Sequence, residues 1–161
     1  MQSKEAIAEQ WLGRILRTYA CRTARFLAEE QDEFRNPIGH TFREALAILL
    51  DELFLGMDAG RITAALDAIM QIRAVQDVPP SRALEFLPQL KGILRLELPA
   101  PEMELLDSRI DEMALRGFDL YMKYREKTYE VRAGEARRRV YVLERVLGVG
   151  ERNAWQERGG A

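Results

Sequence analysis

Apolar side chains recur at intervals of three or four along nearly the whole of this chain, and almost nowhere do they alternate with polar ones. Ile7, Trp11, Ile15 and Tyr19 lie four apart, with Leu12 and Leu16 widening the same face. That spacing stacks side chains on one side of a helix. There is no Asn-Gly or Asp-Gly hairpin turn, and valine and threonine rarely cluster, so strands are not expected. A chain whose only regular period is helical buries its apolar faces helix on helix, and the fold class is all-α.

Breaker and capping residues divide this pattern into elements. Ser3 is placed to cap the first helix, and a short second helix carries Phe26 and Leu27. The second helix ends before the polar turn Asn36-Pro37-Ile38-Gly39, where the proline restricts its predecessor and the glycine admits unusual backbone angles. Thr41-Phe42-Arg43-Glu44 has capping-box spacing and is expected to start a helix. The stripe Phe42, Leu46, Leu49, Leu50, Leu53 and Phe54 follows, with Gly56 as the stop. Asp58 caps a helix with Ile62, Leu66, Ile69 and Ile72 on its buried face, ending near Asp77 ahead of Pro79 and Pro80. Pro80 suits the first turn of another helix. Leu84, Phe86, Leu87, Leu90, Ile93 and Leu94 leave that helix apolar around much of its circumference, which makes it central. Pro88 lies in its middle, and a kink is expected there because an interior proline costs about 3 kcal/mol.

Pro99 and Pro101 mark a linker, and from Glu102 a helical pattern continues through Leu105, Ile110, Met113, Phe118, Tyr121, Met122, Val131, Val140, Leu143 and Leu147. Gly117 and Gly134 are possible bends in it. Its second half is more charged and less apolar, as expected of a helix that leaves the body of the domain. The whole reads as a single bundle of about six helices with a long C-terminal helix. The helical domain covers residues 1–147, and residues 148–161, with Trp155, form a flexible tail.

The chain has 161 residues, the size of one ordinary domain. Its 24 basic and 26 acidic residues leave a net charge of −2, against a nucleic-acid module with a phosphate-binding face. Cys21 is the single cysteine, so no disulfide forms within the chain and a reducing, cytoplasmic setting is expected. The start is polar, without a signal-peptide core. The longest mainly apolar run, Ala45 to Leu50, is far below the roughly 20 residues that cross a bilayer, so membrane insertion is not expected.

Few residues suggest chemistry. His40 is the only histidine, so any Ser-His or Cys-His arrangement passes through it. Cys21 fits packing better than catalysis. An alternative function, a haem or other cofactor held by His40, meets the objection that His40 sits at a helix start and not in an apolar helical face. The acidic groups Glu29-Glu30, Asp32-Glu33 and Glu102 to Glu112 lack the spacing of calcium or di-iron sites. No Walker loop, dinucleotide glycine pattern or nucleophile elbow occurs. No catalytic residue, cofactor or metal is expected, and the chain is not read as an enzyme. Arg137, Arg138 and Arg139 are interleaved with Glu135 and Glu144, which favours a solvated helix over a nucleic-acid ribbon. Tyr121, Tyr124 and Tyr129, with Val140 and Leu143, form a candidate partner surface, although Tyr121 fits ordinary core packing equally well. A ligand pocket, where one exists, is expected between the turn at Asn36 to His40 and the helix end at Arg73 and Gln76, polar residues among apolar helices.

Four stretches carry a family resemblance: Trp11 to Leu16, Asn36 to Glu44, Ile72 to Asp77, and Tyr121 to Lys127. Over most of Ala6 to Tyr129 the chain resembles the N-terminal domain of RsbRD-type co-antagonists of the kinase RsbT. The Asn-Pro-x-Gly turn before a helix is the most specific part. The resemblance implies an all-helical input domain of bacterial stress signalling, similar to haem-free globin-like sensor domains. In such proteins the last helix leads into a phosphorylatable output domain. This chain stops after that helix, so it is read as a stand-alone, non-catalytic sensory or adaptor domain that binds a ligand or a signalling protein. Because the apolar stripe of the final helix outlasts the body it could pack against, a homodimer through that helix is expected.

Overall fold

The computed structural model describes the backbone of residues 3–76 and 78–158 and the side chains of residues 3–76 and 78–148. Asp77, the expected end of one helix, and Trp155, with most of the expected tail at 148–161, lie outside the described side chains. The described residues form seven helical segments and no strand: α1 (Lys4–Leu16), α2 (Cys21–Glu29), α3 (Pro37–Phe54), α4 (Ala59–Val75), α5 (Pro80–Leu84), α6 (Phe86–Leu94) and α7 (Ala100–Arg158). The fold is all-α with a long C-terminal helix. No helix among the described residues is long and apolar enough to cross a membrane. Contacts divide the chain into two units, Met1–Arg125 and Glu126–Ala161.

Within the first unit, Trp11 is fully buried. Its ring lies 5.8 Å from that of Phe86, and its indole N–H donates to the Phe86 carbonyl at 2.7 Å. A buried tryptophan needs that acceptor, and here the bond ties α1 to α6. Ser3 caps α1 by accepting from the Ala6 amide. The helix stops at Leu16, so Tyr19 lies beyond it and packs against Phe42, with ring centroids 6.4 Å apart. Cys21 opens α2 and is exposed, which corrects the packed position expected for it.

The third helix begins at Pro37, four residues before the expected start at Thr41. Pro37 needs no acceptor in the first turn, and Asn36 Oδ1 accepts from the Gly39 amide at 2.8 Å. Thr41 is already inside the helix and donates to the Pro37 carbonyl. Asn36 is only 1% exposed, and its Nδ2 donates to the carbonyls of Leu27 at 3.0 Å and Glu30 at 2.9 Å. One side chain therefore caps α3 and closes the end of α2. Gly39 is required by this closeness, because a Cβ there would stand 2.2 Å from Asn36 Nδ2.

At the far end of α3 the left-handed residue is Met57, with φ of 57°, and not Gly56. The Met57 amide donates to the Glu52 carbonyl at 3.0 Å. The buried Glu52 carboxylate accepts from the Asp58 amide and pairs with Arg61 at 2.5 Å, so it braces the start of α4 beside the Asp58 cap. Ile62, Leu66 and Ile69 are buried as their spacing requires, while Ile72 is half-buried.

The expected helix around Pro88 is broken at Glu85 into α5 and α6. Proline lacks the amide hydrogen that would bond the carbonyl four residues back and its ring crowds that carbonyl. Leu84 is that residue, and α5 ends on it. Counting α5 and α6 as one broken helix returns the expected six. In the first unit α7 buries Met103, Leu106, Ile110, Met113 and Tyr121, leaving Leu105 and Phe118 exposed. Gly117 continues the helix without a break, and a Cβ there would meet Leu84 Cδ2 at 2.9 Å. Its absent side chain is what lets α7 lie close to the broken helix.

Asn36→Ala is expected to lower unfolding free energy by about 2–4 kcal/mol, since it removes a cap and leaves two buried carbonyls without their donor. Urea unfolding measures it, and a loss below about 0.5 kcal/mol would contradict the bracing role.

Candidate functional site

The end of α4 carries an unusual group. Arg73 is 1% exposed, although arginine is rarely buried without a partner acid. Its Nη1 donates to Thr18 Oγ1 at 2.6 Å and its Nη2 to the Arg82 carbonyl at 2.9 Å. The guanidinium carbon lies 5.7 Å from the centroid of the Tyr19 ring, a cation–π distance. Its Nε has no hydrogen-bond partner among the described residues. Three segments thus meet on one cation: the turn after α1, the end of α4 and α5. Tyr19 also donates its hydroxyl to Gln76 Oε1 at 2.7 Å, which leaves the Gln76 amide nitrogen as a donor.

Beside this node lies a cavity of about 560 Å³ lined by Arg17, Thr18, Gln76, Arg82, Glu85 and Gln89, with Val78 and Pro79. Both hydrogen-bond partners of Arg73 are in its wall. A smaller cavity of about 270 Å³ lies between α1 and α3. Two of its acids are paired within the protein, Asp51 with Lys4 at 2.8 Å and Glu9 with Arg43 at 3.7 Å, and the third, Glu5, leaves its lining with more acid than base.

Of the four residues expected to share a pocket, Arg73 and Gln76 come together around Tyr19, whereas Asn36 and His40 are elsewhere. Asn36 is occupied as the cap between α2 and α3. His40, with a side chain 43% exposed, stands on the surface of α3 at 3.8 Å from Glu44 and 4.0 Å from Glu33. A haem ligand needs an apolar cleft around it, and this exposed, acid-flanked position does not fit one. No cluster of three or more potential metal-ligating side chains exists among the described residues. Arg17, Thr18, Arg82 and Gln89 were not expected at the site. Thr18 and Arg82 flank the residues of a helix end and of the Pro79-Pro80 break, and that adjacency of breakers was the only signal for them.

The residues expected to face a partner divide as well. Tyr121 is fully buried and donates its hydroxyl to the Val78 carbonyl, so it takes the core-packing alternative. Tyr124 donates to Asp67 on α4, with both carboxylate oxygens at 2.8 Å. In the second unit, Tyr129, Val140 and Leu143 are exposed, and the Glu135–Arg139 pair forms at 3.8 Å.

The family described as RsbT co-antagonist protein RsbRD N-terminal domain matches residues 5–138. The chain belongs to this family. It is a family of stress-signalling input domains, not a known enzyme family. No curated protein and no solved structure matches the chain.

Asp67, by accepting the Tyr124 hydroxyl, and burial after it, hold that phenol above its ordinary value of 10.0. A raised folded value means that the bond contributes fully below pH 10 and is lost as pH rises through the folded value. Tyr124→Phe is expected to destabilise by about 1–2 kcal/mol at pH 7. The gap between the two proteins should shrink above pH 10 in urea unfolding, and a gap that widens there would contradict the assignment.

Proposed function

We propose that this RsbRD N-terminal-family chain is a cytoplasmic, non-catalytic sensory or adaptor domain of bacterial stress signalling. It binds a ligand or protein partner through its first unit and pairs with a second copy through residues 129–147. The observation that carries the pairing is a six-position apolar seam. Tyr129, Ala133, Ala136, Val140, Leu143 and Leu147 follow one another at alternating spacings of four and three, which are the d and a positions of a heptad. All six are exposed, with Tyr129, Val140, Leu143 and Leu147 between 53% and 68% accessible.

A lone helix gains little stability from propensity and depends on burying an apolar stripe. The family match supports a signalling role, and the seam supplies a way for two copies to register a signal together. Parallel pairing sets Arg139 of one copy opposite Glu144 of the other, against one like-charge pair, Arg132 with Arg137. Antiparallel pairing lines up the Arg132 and Arg139 flanks against each other, so the parallel form is favoured. Alanine at two of the six positions keeps the seam narrow and the association modest.

Sedimentation equilibrium of the full chain at tens of micromolar is expected to show a dimer that the double variant Val140→Glu, Leu143→Glu converts to monomer, with the far-ultraviolet helical signal and the core melting transition retained. A wild-type monomer at that concentration would reject the pairing.

A further inference from the structure

The helix of the second unit has a charged side as well as an apolar seam. With successive residues about 100° apart, Lys127, Arg138 and Arg145 stand within about 20° of one line along α7, on the side opposite the seam. Val131 and Val142 lie about 20–40° to one side of Arg138 and Tyr141 about 60° to the other. All six are exposed, the valines and the tyrosine to between 52% and 63%. The acids of residues 126–148 lie off this line. Glu126, Glu130 and Glu144 are about 80–120° from Arg138 around the helix, and Glu135, about 60° away, pairs with Arg139 at 3.8 Å on its far side. Arg145 donates to the Tyr141 hydroxyl at 3.4 Å, a neutral partner, and Lys127 and Arg138 make no ion pair among the described residues. No acid stands three or four residues from Arg145 in either direction, and Glu151 follows only six residues on. A row of cations about 27 Å long is thus unanswered within its own helix.

Such a row repels a second copy of itself and attracts a surface of opposite sign. The apolar neighbours choose among surfaces of that sign. A nucleic-acid backbone neutralises the cations and leaves both valines and the tyrosine in water, and a bilayer calls for a broader apolar face than these three residues make. We propose that this side of α7 docks an acidic amphipathic helix of a partner protein. Its carboxylates lie along Lys127, Arg138 and Arg145, where the two guanidinium forks match carboxylate geometry, and its apolar side chains cover Val131, Tyr141 and Val142. Because the seam faces the other way, the docked helix and a paired copy occupy different sides of α7, and neither displaces the other. The inference goes beyond the pairing and does not depend on it.

Fluorescence anisotropy of labelled three-heptad peptides titrated with the full chain tests it. The probe is an alanine- and glutamine-based helix with glutamates and leucines together on one face, and the control has the same composition with its leucines moved to the face opposite its glutamates. The probe is expected to bind saturably at about 10–100 µM, about tenfold more tightly than the control, and to weaken several-fold as salt rises from about 0.05 to about 0.3 M. The triple variant Lys127→Gln, Arg138→Gln, Arg145→Gln should lower probe affinity about tenfold while keeping the oligomeric state and helical signal of the wild type. Val140→Gln, Leu143→Gln, on the seam, should leave probe affinity unchanged. No saturable binding of the probe, equal affinity for the two peptides, unchanged affinity in the triple variant, or loss of the probe in the seam variant overturns the proposal. So does tighter binding of oligodeoxythymidine, or of vesicles of equal parts phosphatidylglycerol and phosphatidylcholine, than of the probe. A monomeric chain that binds the probe keeps this surface and removes the paired-helix reading, and a dimer that binds neither peptide does the reverse.

Discussion

Burying a guanidinium without a carboxylate commits the first unit to a particular geometry at one end. Arg73 can stay inside only while Thr18 and the Arg82 carbonyl both reach it, and those two groups belong to the turn after α1 and to α5. The turn therefore cannot swing away from α4, and α5 cannot straighten into the next helix without disturbing this point. Pro88 acts in the same direction from the sequence side, by ending α5 at Leu84. The Tyr19 ring completes the arrangement, since it lies near the cation and links to Gln76 and Phe42. A small set of polar contacts thus sits at the junction of helices that are otherwise joined by apolar packing.

The neighbouring junction, where α2 meets α3, is closed chiefly by an amide side chain. Asn36 has three hydrogen bonds, one inward to its own helix and two to the end of the preceding one, and Gly39 is needed because the amide lies where a Cβ would be. Arg43 adds a bond from its Nη2 to the Leu27 carbonyl at 3.1 Å, and its own buried Nε has no hydrogen-bond partner among the described residues. Asn36 and Arg73 differ in how far their bonding capacity is used within the protein. Both Asn36 and Arg73 are polar and buried, but the hydrogen-bonding capacity of the asparagine is used inside the protein, whereas the arginine keeps an Nε without a partner among the described residues and bonds only neutral acceptors.

This explains how much was legible in the sequence. The helices were, because heptad-like spacing of leucine and isoleucine reports burial directly, and the caps Ser3 and Asp58 are where their residue types place them. The start of α3 was misplaced because Thr41-to-Glu44 and Asn36-to-Gly39 are both legitimate capping patterns, and only the neighbouring carbonyls of Leu27 and Glu30 decide in favour of Asn36. Leu105 and Phe118 belong to the helical pattern of the last helix, but it is their neighbours Leu106 and Gly117 that face inward, a one-residue shift that arises where apolar residues run consecutively. Half of the expected pocket came together, since Arg73 and Gln76 share one helix end. Asn36 and His40 did not join them, because clustering of polar residues in sequence carries no information about which helix faces which. Arg17, Thr18, Arg82 and Gln89 converge only through tertiary contacts, and beyond the helix end and the proline break beside Thr18 and Arg82 no local pattern announces them.

The second unit poses the converse problem. Residues 131–147 are exposed throughout, so no packing among the described residues accounts for the order of their apolar side chains. Random scatter of valine, leucine and tyrosine on a solvated helix would place them around its circumference, and some are so placed: Val131, Tyr141 and Val142 lie off the seam. Yet an apolar residue stands at every one of six consecutive core positions of the heptad, and the salt bridge from Arg139 to Glu135 lies outside them. Alanine at 133 and 136 costs little as helix propensity and offers little area, so the seam is anchored at Tyr129 on one side and by Val140, Leu143 and Leu147 on the other. An association built this way is weaker than a leucine-rich coiled coil, and a weak seam is the kind whose pairing a modest change in free energy at a ligand site can shift.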